Sequence, residues 1–93
     1  MNDNEPRPVT IITGRVFRDK GGASEGVHIF LVAPDDDTAV RTALESLAKE
    51  GYAEAELDQI GEMDGAPDEE PHASAYQGAL EGEVSIVTFE ERD

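Results

Sequence analysis

The sequence predicts an α+β domain: a four-stranded mixed sheet with two helices on one face, in the order β-β-α-β-α-β. Three observations lead there. Aliphatic and β-branched residues gather in four short runs, at 9–18, 27–33, 55–63 and 83–90, and such runs favour strands. Two intervening stretches, after Pro34 and after Pro71, carry apolar residues at helical spacing. Glycines, prolines and short acidic residues punctuate the joints. At 93 residues the chain makes one domain with one modest core.

Residues 1–8 are polar and contain Pro6 and Pro8. They read as a flexible N-terminal tail, leaving 9–93 as the domain. In the first strand, Val9, Ile11 and Phe17 share one face, and Ile12 and Val16 the other. Residues 19–26 form a glycine-rich connection. The second strand, Val27 to Ala33, is apolar on both faces: Val27, Ile29 and Leu31 alternate with His28, Phe30 and Val32. That pattern places it centrally in the sheet.

Asp35, Asp36, Asp37 and Thr38 open the first helix, because short acidic side chains cap free N–H groups and suit the positive end of the helix dipole. Val40, Ala43, Leu44 and Leu47 mark its inner face, and Gly51 ends it. The run from Ala55 to Met63 alternates poorly, since Ile60 breaks the phase; an edge strand with a bulge near Gly61 accounts for that. An acidic loop, 64–71, leads to a short helix over 72–81, with Pro71 at its start and Gly82 past its end. Tyr76, Ala79 and Leu80 are expected to face the core. Val84, Ile86, Val87 and Phe89 belong to the last strand. The second and third strands flank the first helix and are expected to run parallel. The first strand turns back antiparallel to the second and can slot between the second and third. That element order resembles small ferredoxin-like domains in general character, with no motif tying it to a family.

Charge is the most pronounced compositional feature. Asp and Glu total 22 against 7 Lys and Arg, a formal net charge of −15. Direct nucleic-acid binding needs cations to displace counterions, and binding to an anionic membrane needs them too. Neither partner is expected. The acidity has three readings: solubility, adaptation to a salt-rich cytoplasm, or a surface that recognises a basic protein. Cysteine is absent, which removes disulfides and thiolate chemistry. The first six residues have neither a basic start nor an apolar run, so no secretory leader is expected. The longest apolar run, Ile29 to Ala33, is far short of the ~18–20 residues of a membrane span. The expected location is cytoplasmic.

Few residues suggest chemistry. Asp35, Asp36 and Asp37 sit where a strand gives way to a helix and offer a weak set of ligands for a hard cation. They lack the spacing and glycine of a calcium loop, and capping explains them without a metal. Asp68, Glu69, Glu70 and His72 form a second acidic knot, explained in the same way by a helix start. His28 interrupts an apolar strand beside Phe30, as a core or interface histidine does; a ligand contact or pH-sensitive interface is the sharper alternative. Arg15 and Arg18, with Lys20, form a cationic cluster next to Gly21 and Gly22. It lacks the lysine placement of a phosphate-binding loop. The candidate ligand or interface residues are therefore His28, Phe30, Arg15, Arg18 and Tyr76, with no catalytic residue, resident metal or cofactor expected.

With both helices on one face, the apolar residues of the other face lack a cover. The expected occupant is a second copy, in a twofold dimer. The leading functional expectation is a non-catalytic regulatory, binding or assembly module that dimerises through its sheet. One alternative is a small dimeric α+β-barrel enzyme with a cavity near His28, using Tyr52 or Tyr76 as further polar groups. Another is an acidic inhibitor or decoy that binds a basic protein.

Overall fold

The computed structural model describes residues 8–19, 22–63 and 65–90, with position 90 described through its backbone. Most of the expected tail therefore lies outside the described residues, as do Lys20 and Gly21 of the expected cationic cluster. The elements follow the expected order: β1 (Thr10–Phe17), β2 (Ser24–Leu31), α1 (Asp36–Lys49), β3 (Glu54–Glu62), α2 (His72–Leu80) and β4 (Ser85–Glu90). Among the described residues no helix is long and apolar enough to cross a membrane.

The four strands form one sheet in the order β3-β1-β2-β4. β1 lies between β2 and β3, in the slot its antiparallel turn allows. β2 and β3 both run antiparallel to β1, so they are parallel to each other without touching. β4 pairs antiparallel with β2. Every hydrogen-bonded neighbour is thus antiparallel, whereas the sequence suggested a mixed sheet. The inserted β1 separates the two strands that would have made the parallel pair.

The larger correction concerns the helices, which lie on opposite faces of the sheet. On one face, Ile12, Val16, Val27, Ile29 and Leu31 pack with Ala39, Ala43 and Leu47 of α1. On the other, Val9 and Phe30 pack with Ala75 and Ala79 of α2. β2 supplies residues to both clusters, and Ile29 and Phe30 are both fully buried. The physical reason lies in β2 itself: each of its faces is apolar, and each requires a cover. Each helix has a narrow stripe of alanines, which suits one close approach to a sheet. The apolar surplus that called for a second subunit is therefore covered along β2 by α2 of the same chain.

Local features follow the side-chain chemistry. The Asp35 carboxylate accepts the Thr38 N–H at 2.7 Å and caps α1. Gly51, at φ 97°, takes the left-handed conformation that ends the helix. At α2 the carboxylate of Glu70 accepts the Ser74 N–H at 3.1 Å. The bulge in β3 falls at Asp58, not near Gly61: Thr13 pairs with Gln59 and Gly14 with Leu57, which leaves Asp58 unpaired in the ladder. This one-residue insertion brings both Leu57 and Ile60 onto the α1 face and explains the broken alternation. Gly14 is required there, since a Cβ would run into the Glu56 carbonyl and stand 2.8 Å from Leu57 Cα. Leu80, expected inside, is 44% exposed at the end of α2; Ala75 and Ala79 fill the contact instead.

Candidate functional site

The α2 side of the sheet holds a part-buried histidine pair. His28 sits on β2, opposite Thr13 of β1 and Val87 of β4. His72 is the first residue of α2. Their rings meet: His28 Nδ1 and His72 Nε2 are 2.8 Å apart. One nitrogen donates and the other accepts, so the pair shares a single proton along this contact. Phe89 stacks edge-on against His28 at 5.0 Å between ring centroids. Phe30 stacks edge-on against His72 at 5.5 Å. Burial lowers the His28 pKa below its ordinary 6.5, and the neighbouring His72 pushes it the same way.

The sequence marked His28 as the interior histidine and treated His72 as part of an acidic knot. The structure joins them. Two histidines in the whole chain, one on a central strand and one at a helix start, were the available signal. Only the crossing of α2 over the second face brings them within reach. The cluster ties α2 to the sheet. The space beside His28, where the enzyme alternative places its cavity, is taken by the rings of His72 and Phe89.

The other candidates separate. Phe30 is fully buried, and Tyr76 packs half-buried against the same cluster. Both are core residues of the α2 layer. Arg15 is exposed, in register between Gly26 of β2 and Glu56 of β3. Arg18 belongs to the α1 side: its guanidinium lies 4.7 Å from the Tyr52 ring centroid and donates to the Tyr52 hydroxyl at 3.3 Å. It also stands 3.9 Å from a Glu25 carboxylate oxygen. The two arginines of the expected cationic cluster thus have different surroundings, and Lys20 lies outside the described residues. Asp35 is engaged as the α1 cap, and the Thr38 N–H holds its carboxyl below the usual carboxylate range. Asp36 and Asp37 are exposed in the first turn. Among the described residues no group of three metal-ligating side chains gathers, at this run or elsewhere.

Among the described residues, two open surfaces bear on the sheet. On the α2 side of the sheet, Ile11, Thr13, Gln59, Ile60 and Gly61 line a cleft of 380 Å³ over β1 and β3. The second is the outer margin of β4. The two sheet margins differ in kind. β3 carries Glu54, Glu56, Asp58 and Glu62 and is bulged at Asp58, the devices by which edge strands avoid pairing with other chains. From Ser85 to Phe89, β4 has no charge, no proline and no register shift. Phe89 is 43% exposed there, and its ring covers Gly26, where a Cβ would collide with it. Comparison with protein-family models, curated proteins and solved structures found no match to this chain.

Proposed function

We propose that this chain is a non-catalytic binding module that engages another protein strand along the free margin of β4. The asymmetry of the two sheet edges carries this reading. One edge is guarded by four carboxylates and a bulge; the other is uncharged from Ser85 to Phe89 and carries an exposed aromatic ring. An unguarded strand edge presents a row of backbone donors and acceptors that a partner strand can complete. The paired polar groups support the reading, because part-buried His28 and His72 are engaged with each other and exposed Arg18 with Tyr52 and Glu25. The test is site-specific photo-crosslinking in the full chain. A crosslinker at Thr88 on β4 is expected to capture a partner chain, and one at Asp58 on β3 is not. Equal capture at both positions, or none at Thr88, rejects the reading.

A second reading is a homodimer through the uncovered part of the sheet. The half-buried Ile11 and the open cleft over β1 and β3 favour it. It needs only the α2-side face, not the β4 margin. Analytical ultracentrifugation at micromolar concentration is expected to show a dimer, and a monomer alone excludes it.

A further inference from the structure

We infer that α2 is an acid-sensitive cover: in mildly acidic solution the imidazoles of His28 and His72 repel, and α2 lifts from the second face of the sheet while α1 stays docked on the first. This device does not depend on how the β4 margin is used. The two helices are held in different ways. α1 has 14 residues and buries Leu47 besides Ala39 and Ala43. α2 has nine residues, and those it buries are the small Ala75 and Ala79. A helix that short has little stability of its own and relies on what it docks against. Among the described residues one side-chain hydrogen bond joins α2 to the sheet, the 2.8 Å contact between His72 Nε2 and His28 Nδ1. His72 is also the first residue of α2, at the positive end of the helix dipole, where added positive charge is unfavourable.

The number of protons at that contact sets when it breaks. With both rings neutral, one facing nitrogen donates and the other accepts. One added proton leaves the bond intact, because the imidazolium still donates to its neutral neighbour. A second proton puts an N–H on both facing nitrogens and a charge on both rings, with no acceptor between them. Burial and the neighbouring His72 both hold the His28 pKa below 6.5. The docked state therefore binds fewer protons than the released state as pH falls below that value, and acid weakens docking. The surroundings of His28 do not offset this. Thr13 of β1, Val87 and Phe89 of β4 are neutral, as is Phe30 against His72, and Tyr76 of α2 stays neutral in this range. Arg15, two positions along β1 from Thr13, carries charge of the same sign. Asp68 and Glu69 border a cleft with His72, and Glu70 is engaged at the Ser74 N–H. Among the described residues no carboxylate acts on His28. Release of α2 uncovers Val9 and Phe30, which are buried with Ala75 and Ala79. The buried α1 layer holds no titratable side chain and has no matching release.

The test is amide hydrogen exchange in the full chain between about pH 7.5 and pH 5, corrected for intrinsic rates and read beside the ring-nitrogen NMR signals of both histidines. Amides at 76–80 of α2 are expected to exchange through a local opening, faster than those at 43–47 of α1 at every pH. Their protection should fall below about pH 6.5, approaching about tenfold per pH unit for one extra proton. At pH 5 the α1 amides should remain protected. His28→Gln leaves His72 facing an amide that can accept as well as donate, and should remove most of the fall at α2. Equal exchange of α1 and α2 throughout means that only the whole chain opens, and overturns the inference. A level profile at α2 overturns it too, as does the same fall in His28→Gln, which would place the titration in the acidic segment before α2. Where His28→Gln does not fold, the native ring signals decide. Loss of α2 protection in step with the second imidazole proton supports the device, and two protonated rings under an unchanged α2 reject it.

Discussion

The two faces of this sheet are built from adjacent residues of one strand, yet they are finished differently. The buried residues of the α1 face are all aliphatic, with Ile12, Val16, Val27, Ile29 and Leu31 under Ala39, Ala43 and Leu47. The α2 face has a smaller buried cluster, Val9, Phe30, Ala75 and Ala79, and beside it a histidine pair. The first face is closed by burial alone. The second adds a directional contact, and part of it stays open over β1 and β3. The buried aliphatic layer holds no titratable side chain, whereas the other face holds the histidine pair. The comparison teaches that a strand apolar on both sides sets the number of layers, while the polar residues on each side set how that layer behaves.

The strongest way to break the comparison is to truncate neighbours that point to opposite faces. Phe30→Ala on the α2 face is expected to lose about 3–5 kcal/mol, and Ile29→Ala on the α1 face about 2–5 kcal/mol, by urea unfolding. A loss below about 1 kcal/mol for Phe30→Ala would show the α2 layer to be dispensable, since that is no more than an ordinary surface change. Next in size is Gly14→Ala on the α1 face, where the new Cβ meets backbone that has little room to move. It should lose about 1–3 kcal/mol, the range of an overpacked site. Retained stability would show that the bulge at Asp58 can relax.

Smaller still is the pH response of the α2 face. The folded state lowers the His28 pKa, so the unfolded chain takes up the proton first as pH falls. Folding stability is therefore full above the ordinary imidazole value of 6.5 and declines as pH drops below it. His72 on α2 is the titratable neighbour, with Thr13, Val87 and Phe89 as neutral ones. Urea midpoints measured between about pH 7.5 and pH 5 for the native chain and for His28→Gln should diverge toward acid, the native chain losing more. Parallel curves would remove the histidine pair as a pH-sensitive contact. The smallest effect belongs to the margin both faces share. Thr88→Lys should change stability by less than about 0.5 kcal/mol, as an exposed substitution does. A larger loss would mean that β4 needs Thr88 for folding, which would disqualify the position as a crosslinking site.

Much of this architecture was legible in the residues. The element order, the central place of β2, the cap at Asp35 and the stop at Gly51 followed from local rules about alternation, short acidic side chains and left-handed glycine. The broken phase at Ile60 announced a bulge, although its place at Asp58 needed the register with β1. The candidate site was legible only in part. His28 drew notice for interrupting an apolar strand, but its partner lies 44 positions away and looked like part of a helix start. Of the expected cationic cluster, Arg18 meets the Tyr52 ring and Arg15 lies in the ladder between Gly26 and Glu56, while Lys20 lies outside the described residues.

By itself the sequence determined which segments become strands and helices, and that β2 must be covered on both sides, because these depend on periodicity and on the cost of exposing apolar surface. Only the tertiary structure decided where the covers come from. The chain passes from β3 at one margin to β4 at the other, and α2 crosses the sheet on the face that α1 leaves free. That path covers β2 from within the chain and leaves the cleft over β1 and β3 open. It also brought His72 onto His28 and left β4 at the margin without the carboxylates that guard β3.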